Sequence, residues 1–393
     1  MSSHLSPVSQ PDHVHSAPIS TYPNIHHSAL ALLLPLRRRL GRIFRTMSTP
    51  LSPPSRGPSP APLYSKTPAR IACVQFDPKL GRVRENAAKV EDLTRELQPG
   101  SIDLMVLPEM CLSGYMFSSA TAILPYLEPQ RIGPTSLLAR SLARRLHCHV
   151  IAGYPEALPS APQPSSSSRP STPLISERNA GPHEMKDLEG EGEGVGWNSA
   201  VVVGPSGEVI GNYRKSFRFE TDKTWAREGD GFVHFDLPEP LGRVAVGICM
   251  DMNPKDFIAP WDAFELSNYC RDNAVDTLVV PMNWLSPPAE PPNEAPEEDP
   301  EAPSESNLNY WAARLQPLHD PTPSYTSQSP EEADPSAGKE VIFVACNRVG
   351  TEEGTKFVGT SCVMTVSCQP SRIELVECCN ISEERVLVAT VSS

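Results

Sequence analysis

"VAVGICMDMNP", residues 244–254, runs from a continuous apolar stretch straight into Cys249, Asp251 and Pro254. A strand that is apolar at nearly every position is buried on both faces, so its sheet needs a layer on each side. The same character recurs in "ARIACVQFDP" (69–78), "DLMVLPEM" (103–110), "HVIAGYPE" (149–156), "VDTLVVPMNWL" (275–285), "EVIFVACNRVG" (340–350), "TSCVMTVS" (360–367) and "ERVLVATV" (384–391). Between them, "NAAKVEDLTRELQ" (86–98) and "TSLLARSLARRLHC" (135–148) space apolar residues at helical intervals, the second with Thr135 or Ser136 placed to cap its start. Further helices are predicted at about 255–273 and at "NYWAARL" (309–315), and "NSAVVVGPSGEVIGNYRK" (198–215) reads as a hairpin. Strands alternating with helices, with hairpins mixed in, argue against a plain parallel sheet. The prediction is α/β: two mixed sheets face to face with helices outside.

Composition limits how much of the 393 residues folds. The 44 prolines cluster in residues 1–68, about 155–190 and 286–338. Each cluster is rich in Pro and Ser and poor in aromatics, buries too little apolar surface to offset its conformational entropy, and reads as disordered. What remains, 69–393 without the two loops, is one domain. The net charge of −13 is concentrated in 286–338, which holds eleven Asp and Glu against Arg314 alone. No basic stripe is left for nucleic acid. Ten cysteines lie scattered with no CxxC, which points to a reducing compartment and to no zinc site or disulfide framework. "GEGEGVG" (190–196) lacks the Lys-Ser/Thr of a phosphate loop, and His147 and His149 suit packing or solvent better than a metal.

"ALALLLPLRRRLGRIFRT" (29–46) is basic and acid-poor, as a mitochondrial transit peptide reads; the competing reading is a disordered extension with translation starting at Met47. Its apolar run is too short to span a bilayer. The expectation is a cytoplasmic protein, with mitochondrial targeting through the Arg-rich segment as the added reading, no stable membrane insertion, and self-association left open.

Three reactive side chains fall at strand ends, where α/β folds collect their sites. Glu109 ends "DLMVLPE", Lys215 follows the hairpin, and Cys249 ends "RVAVGIC". Singly, a Glu after Pro is usually a solvated cap, a Lys after Tyr-Arg surface, and a Cys core. Together they meet a chemical requirement. A thiol needs a base to attack at neutral pH, and a carboxylate can take its proton. Attack on an amide creates an oxyanion that an ammonium can stabilise, and the protonated carboxyl can then serve the departing ammonia.

"LPEMCLSGY", "GNYRKSF" and "VGICMDMNP", in that order, resemble the Glu-Lys-Cys signature of the nitrilase, or carbon-nitrogen hydrolase, superfamily. "ACNRVGTEEGTKFVGTS" (345–361) resembles that family's late strand pair. The resemblance covers about 69–393 apart from the loops. It implies an αββα sandwich, a thioester acyl-enzyme on Cys249, and neither metal nor organic cofactor. "YRKSFRFETDKTWAREGDGF" with "CMDMNPKDFIAPW" looks most like the branch that deamidates N-terminal Asn and Gln to Asp and Glu in an N-degron degradation pathway. Members commonly carry a second glutamate downstream of the lysine. Glu220 and Glu228 both qualify, and proximity to Lys215 favours Glu220. An N-terminal substrate presents an α-ammonium, which Asp251 either holds or leaves alone while capping a helix; Asn253, Asn283 and Trp284 would shape the pocket. Two alternatives stay open: a small-molecule amidase or nitrilase of the same superfamily, and a nitrilase-like protein that binds without turnover.

Overall fold

The computed structural model describes residues 67–159, 194–286, 299–320 and 339–392. The N-terminal segment with its targeting reading, and most of both proline-rich loops, lie outside the described residues. In chain order come β1 (Ala69–Gln75), α1 (Val83–Leu93), β2 (Leu104–Val106), α2 (Pro134–Leu146), β3 (His149–Ala157), β4 (Gly196–Val203) and β5 (Val209–Arg214). They are followed by β6 (Ala226–Arg227), β7 (Val233–Asp236), β8 (Arg243–Val246), α3 (Glu265–Asp272), β9 (Thr277–Pro281) and α4 (Glu305–Arg314). The chain closes with β10 (Glu340–Cys346), β11 (Thr351–Glu352), β12 (Thr355–Lys356), β13 (Cys362–Cys368), β14 (Ser371–Cys378) and β15 (Arg385–Val391).

Two mixed sheets result, as the strand composition predicts. One runs β15-β1-β2-β3-β4-β5 with β6 against β4, the other β14-β13-β10-β9-β8-β7. Each has a parallel centre, β1-β2-β3 and β8-β9-β10, flanked by antiparallel strands. Alternate residues of one strand serve two different cores, since successive side chains point to opposite faces. Ile71, Cys73, Leu104 and Val106 pack with Val246, Val280 and Phe343 of the second sheet, whereas Ala72, Val74 and Met105 pack under Val90 of α1 and Leu138, Leu142 and Leu146 of α2. Leu266 and Cys270 of α3 and Trp311 of α4 cover the second sheet. This is the αββα sandwich.

Some local expectations change. The cap of α2 is Gly133 with Pro134 at the first helical position, and Thr135 lies inside the helix, where its N–H and Oγ1 both bond the buried Glu128 at 2.8 and 2.7 Å. The predicted helix at 255–273 is α-helical only from Glu265, after two short 3-10 turns at Lys255–Phe257 and Trp261–Ala263, because Asp256, Phe257 and Phe264 carry positive φ and Pro260 lies between them. His147 is the exposed left-handed cap of α2 and His149 is a buried β3 residue. Residues 299–320, inside the expected loop, carry α4 and one further helical turn, Gln316–His319. Among the described residues no helix is long and apolar enough to cross a membrane, and no group of three or more His, Cys, Asp or Glu could hold a metal ion.

Candidate active site

The site is built where the parallel strands of the two sheets end. Beyond β2 the chain lies along β3, with Leu107 N–H on Ile151 O (2.9 Å) and Cys111 N–H on Gly153 O (3.1 Å). That close approach needs Gly153, since a Cβ there would stand 2.5 Å from Glu109 Cα and 2.7 Å from Pro108 O. The loop is held from its far side too. Glu352 of β11 accepts the N–H groups of Tyr115 (2.9 Å) and Met116 (3.0 Å) and pairs with the fully buried Arg348, which reaches Asp77 Oδ1 at 2.9 Å.

Glu109 is wholly buried. Its Oε1 accepts from Lys215 Nζ and Asn198 Nδ2, both at 2.7 Å, while Oε2 has no hydrogen-bond partner. Burial raises the Glu109 pKa; Lys215 opposes this and Asp222 adds to it, leaving it above the usual carboxylate range. Lys215, equally buried, sits 2.6 Å from Asp222 Oδ2. Burial works against its charge, but the Asp222 and Glu109 carboxylates outweigh it and keep the ammonium protonated. An ammonium has three N–H groups. Two are on carboxylates, and the third is left for an oxyanion.

The second acid is therefore Asp222, not Glu220. Asp222 also accepts from Asn198 Nδ2 (2.9 Å) and the Phe219 N–H (2.8 Å), on the single helical turn Glu220–Lys223. Glu220 points outward to Lys223 (3.0 Å), and Glu228 pairs at the surface with Lys255 (3.1 Å). The sequence signal for Asp222 is an acid seven residues after Lys215 in "KSFRFETD".

Cys249 opens a 3-10 turn, Cys249–Met252, with φ +40°. For a non-glycine residue this backbone costs about 1–3 kcal/mol and persists only where the surroundings enforce it. Burial pushes the thiol pKa well up and Glu109 adds to this, against Lys215 and the Asn283 backbone N–H. Burial thus favours the neutral thiol, and Glu109 Oε2 is unpartnered.

Asp251 does not face an open pocket. It is buried, and its Oδ2 accepts from Tyr213 OH (2.7 Å) and the Ile248 N–H (2.8 Å), its Oδ1 from the Phe217 N–H (2.8 Å). The carboxylate caps the Cys249–Met252 turn, not a helix starting near Asn253. Asn253 is likewise engaged, its Oδ1 accepting from Tyr310 OH at 2.6 Å. Asn283 differs: its side chain is buried with neither Oδ1 nor Nδ2 partnered, and its backbone N–H acts to lower the pKa of the Cys249 thiol. Trp284 is half-buried and packs its ring on Tyr310 and Trp311.

Fold and site together fit a hydrolase of carbon-nitrogen bonds. Residues 70–258 match the carbon-nitrogen hydrolase family model. A curated relative, protein N-terminal amidase of Schizosaccharomyces pombe, is 31% identical over 307 residues, 76% of this chain and 91% of that protein. The chain belongs to the carbon-nitrogen hydrolase family. Its fold is shared with crystal structures of N-terminal amidase with an Asn-Glu-Ala peptide and with a Gln-Val peptide. Each is 22% identical, with a TM-score of 0.62, and covers 83% of this chain and 98% of that one.

Proposed function

We propose that this protein is an N-terminal amidase, converting N-terminal Asn and Gln of polypeptides to Asp and Glu with release of ammonia. The observation that carries the reading is the buried Glu109–Lys215–Asp222 set beside the strained Cys249, in a chain whose curated relative is named for that activity. Glu109 takes the thiol proton as Cys249 attacks the side-chain carbonyl carbon; the third N–H of Lys215 meets the oxyanion. Collapse breaks the C–N bond, with Glu109 giving its proton to the leaving ammonia and leaving a thioester on Cys249. Water, deprotonated by Glu109, attacks the thioester, and the thiolate leaves and regains the proton. With Asp251 and Asn253 engaged internally, we assign substrate contact to the unpartnered carboxamide of Asn283, with Trp284 as a wall. The Asp or Glu product would feed an N-degron pathway.

The test is ammonia release from peptides beginning with Asn or Gln, their N-acetylated forms, and free asparagine and glutamine. Release from the free-amine peptides alone, lost in Cys249→Ala, is expected. Release from small amides or nitriles instead would replace the N-terminal assignment with a small-molecule one. Binding with no release would favour a non-catalytic role.

A further inference from the structure

The Cys249–Met252 nucleophile turn is held at both ends. Asp251 ties its start to Ile248, Phe217 and Tyr213. The far end, Met252 and Asn253, is met by α4. Arg314, 2% exposed, gives its Nε–H to Met252 O at 2.7 Å and an Nη1–H to Trp261 O, and its guanidinium faces the rings of Trp261 and Phe264 at 4.9 and 4.8 Å. One turn earlier, Tyr310 OH donates to Asn253 Oδ1 at 2.6 Å. The same helix reaches the other strand end of the site: Tyr310 and Trp311 pack on the Trp284 ring at 5.6 and 5.7 Å, one residue beyond Asn283.

Arg314 is an unusual residue to bury here. A buried cation is normally matched by a carboxylate, yet the nearest one, Glu265, stands 3.5 Å away, and the shortest bonds of the guanidinium go to backbone carbonyls. Planar, multiply donating and rigid, it fixes two carbonyls of the 249–261 segment at once. A change of φ at Cys249 from +40° would move its sulfur. Holding both ends of the turn prevents this.

Building on Cys249 as the nucleophile, we propose that α4 is a clamp on the nucleophile turn, with Arg314 and Tyr310 as positioning residues for the attack step. Neither contacts substrate. They act through Met252 and Asn253 on where the Cys249 sulfur stands.

The experiment compares Tyr310→Phe, which removes one hydroxyl and keeps the ring packing, with Arg314→Lys and Arg314→Met. It reads kcat and KM for an Asn-initiated peptide, the rate at which iodoacetamide alkylates Cys249, and the thermal midpoint. Alkylation needs no substrate, so it tests the clamp even if the N-terminal amidase reading fails in the wild-type ammonia assay. The expected result for Tyr310→Phe is kcat and alkylation both about tenfold slower with KM within about twofold, since small misplacements of reacting groups cost rate more than binding. Arg314→Met should lose more and Arg314→Lys recover part of it. Wild-type kcat and alkylation in Tyr310→Phe and Arg314→Lys, with only the midpoint lowered, would overturn the proposal. A raised KM at unchanged kcat would overturn it too.

Discussion

Asp222 Oδ2 stands 2.6 Å from Lys215 Nζ, with both side chains fully buried and Glu109 on the ammonium's other side. Removing one partner of a buried pair leaves its opposite uncompensated and typically costs about 3–5 kcal/mol. Asp222→Asn is therefore expected to lower the thermal midpoint and to cut kcat by at least about a hundredfold, through a misplaced oxyanion donor. Glu220→Gln, which touches only the surface Lys223, should change stability by no more than about 0.5 kcal/mol and leave kcat unaltered. Steady-state kinetics on the two variants separate Asp222 from Glu220 as the supporting acid.

Gly153 lies 2.5 Å, by its missing Cβ, from the backbone of Glu109. Gly153→Ala pushes the catalytic loop off β3 with no change to any reacting group. Overpacking of this kind costs about 1–3 kcal/mol. Kinetics should show kcat falling with KM little altered, while wild-type kcat would mean that the loop tolerates the shift.

Asn283 offers two buried, unpartnered polar atoms beside the nucleophile. Losing one substrate hydrogen bond there should cost about 1–3 kcal/mol. Asn283→Leu is expected to lower kcat/KM by that amount for both Asn and Gln peptides with the fold retained. Unchanged kcat/KM would remove Asn283 from the substrate contacts.

Asp251→Asn tests the capping role. The carboxylate accepts three internal hydrogen bonds, and an amide in its place turns a donor toward donors. The thermal midpoint and kcat should both fall, with KM changing less than about twofold. A large KM increase confined to free-amine peptides would restore the α-ammonium reading.

The pH dependence follows from Glu109. In the proposed reaction the carboxylate form is the base, and burial with Asp222 nearby outweighs Lys215 to raise its pKa. Activity should therefore fall as the pH drops, with the midpoint of that fall above the usual carboxylate range. Between its unfolded and folded values the folded chain holds a proton that the unfolded chain has released. The contribution of Glu109 to stability thus declines as pH rises through that window, opposite in sign to its effect on rate. A pH-rate profile, with melts of wild type against Glu109→Gln, checks both signs.

Much of this was legible in the residues, for physical reasons. Strands such as "RVAVGIC" are buried on both faces, so burial wrote itself into an unbroken apolar run, and the three reactive side chains stand out where those runs stop. β14 was not visible because it is a partly exposed edge strand: Ile373 and Leu375 alternate with Arg372 and Glu374 instead of forming a run. One helix is expected at about 255–273, but left-handed backbone at Asp256, Phe257 and Phe264 breaks it. Asp222 stands where Glu220 is expected, and Asp251 caps the Cys249 turn. Which acid faces Lys215 and which caps the Cys249 turn depends on how the chain folds after β5, and that path is set by contacts such as Phe219 N–H on Asp222 and Phe217 N–H on Asp251.

The central claim is that Cys249 carries the acyl group. Mixing the protein with a Gln-initiated peptide, quenching in acid and measuring intact mass reads this directly. The expected result is an adduct equal to the peptide less ammonia, mapped to Cys249 and absent from Cys249→Ala, which also releases no ammonia. Ammonia release by Cys249→Ala at the wild-type rate would contradict it.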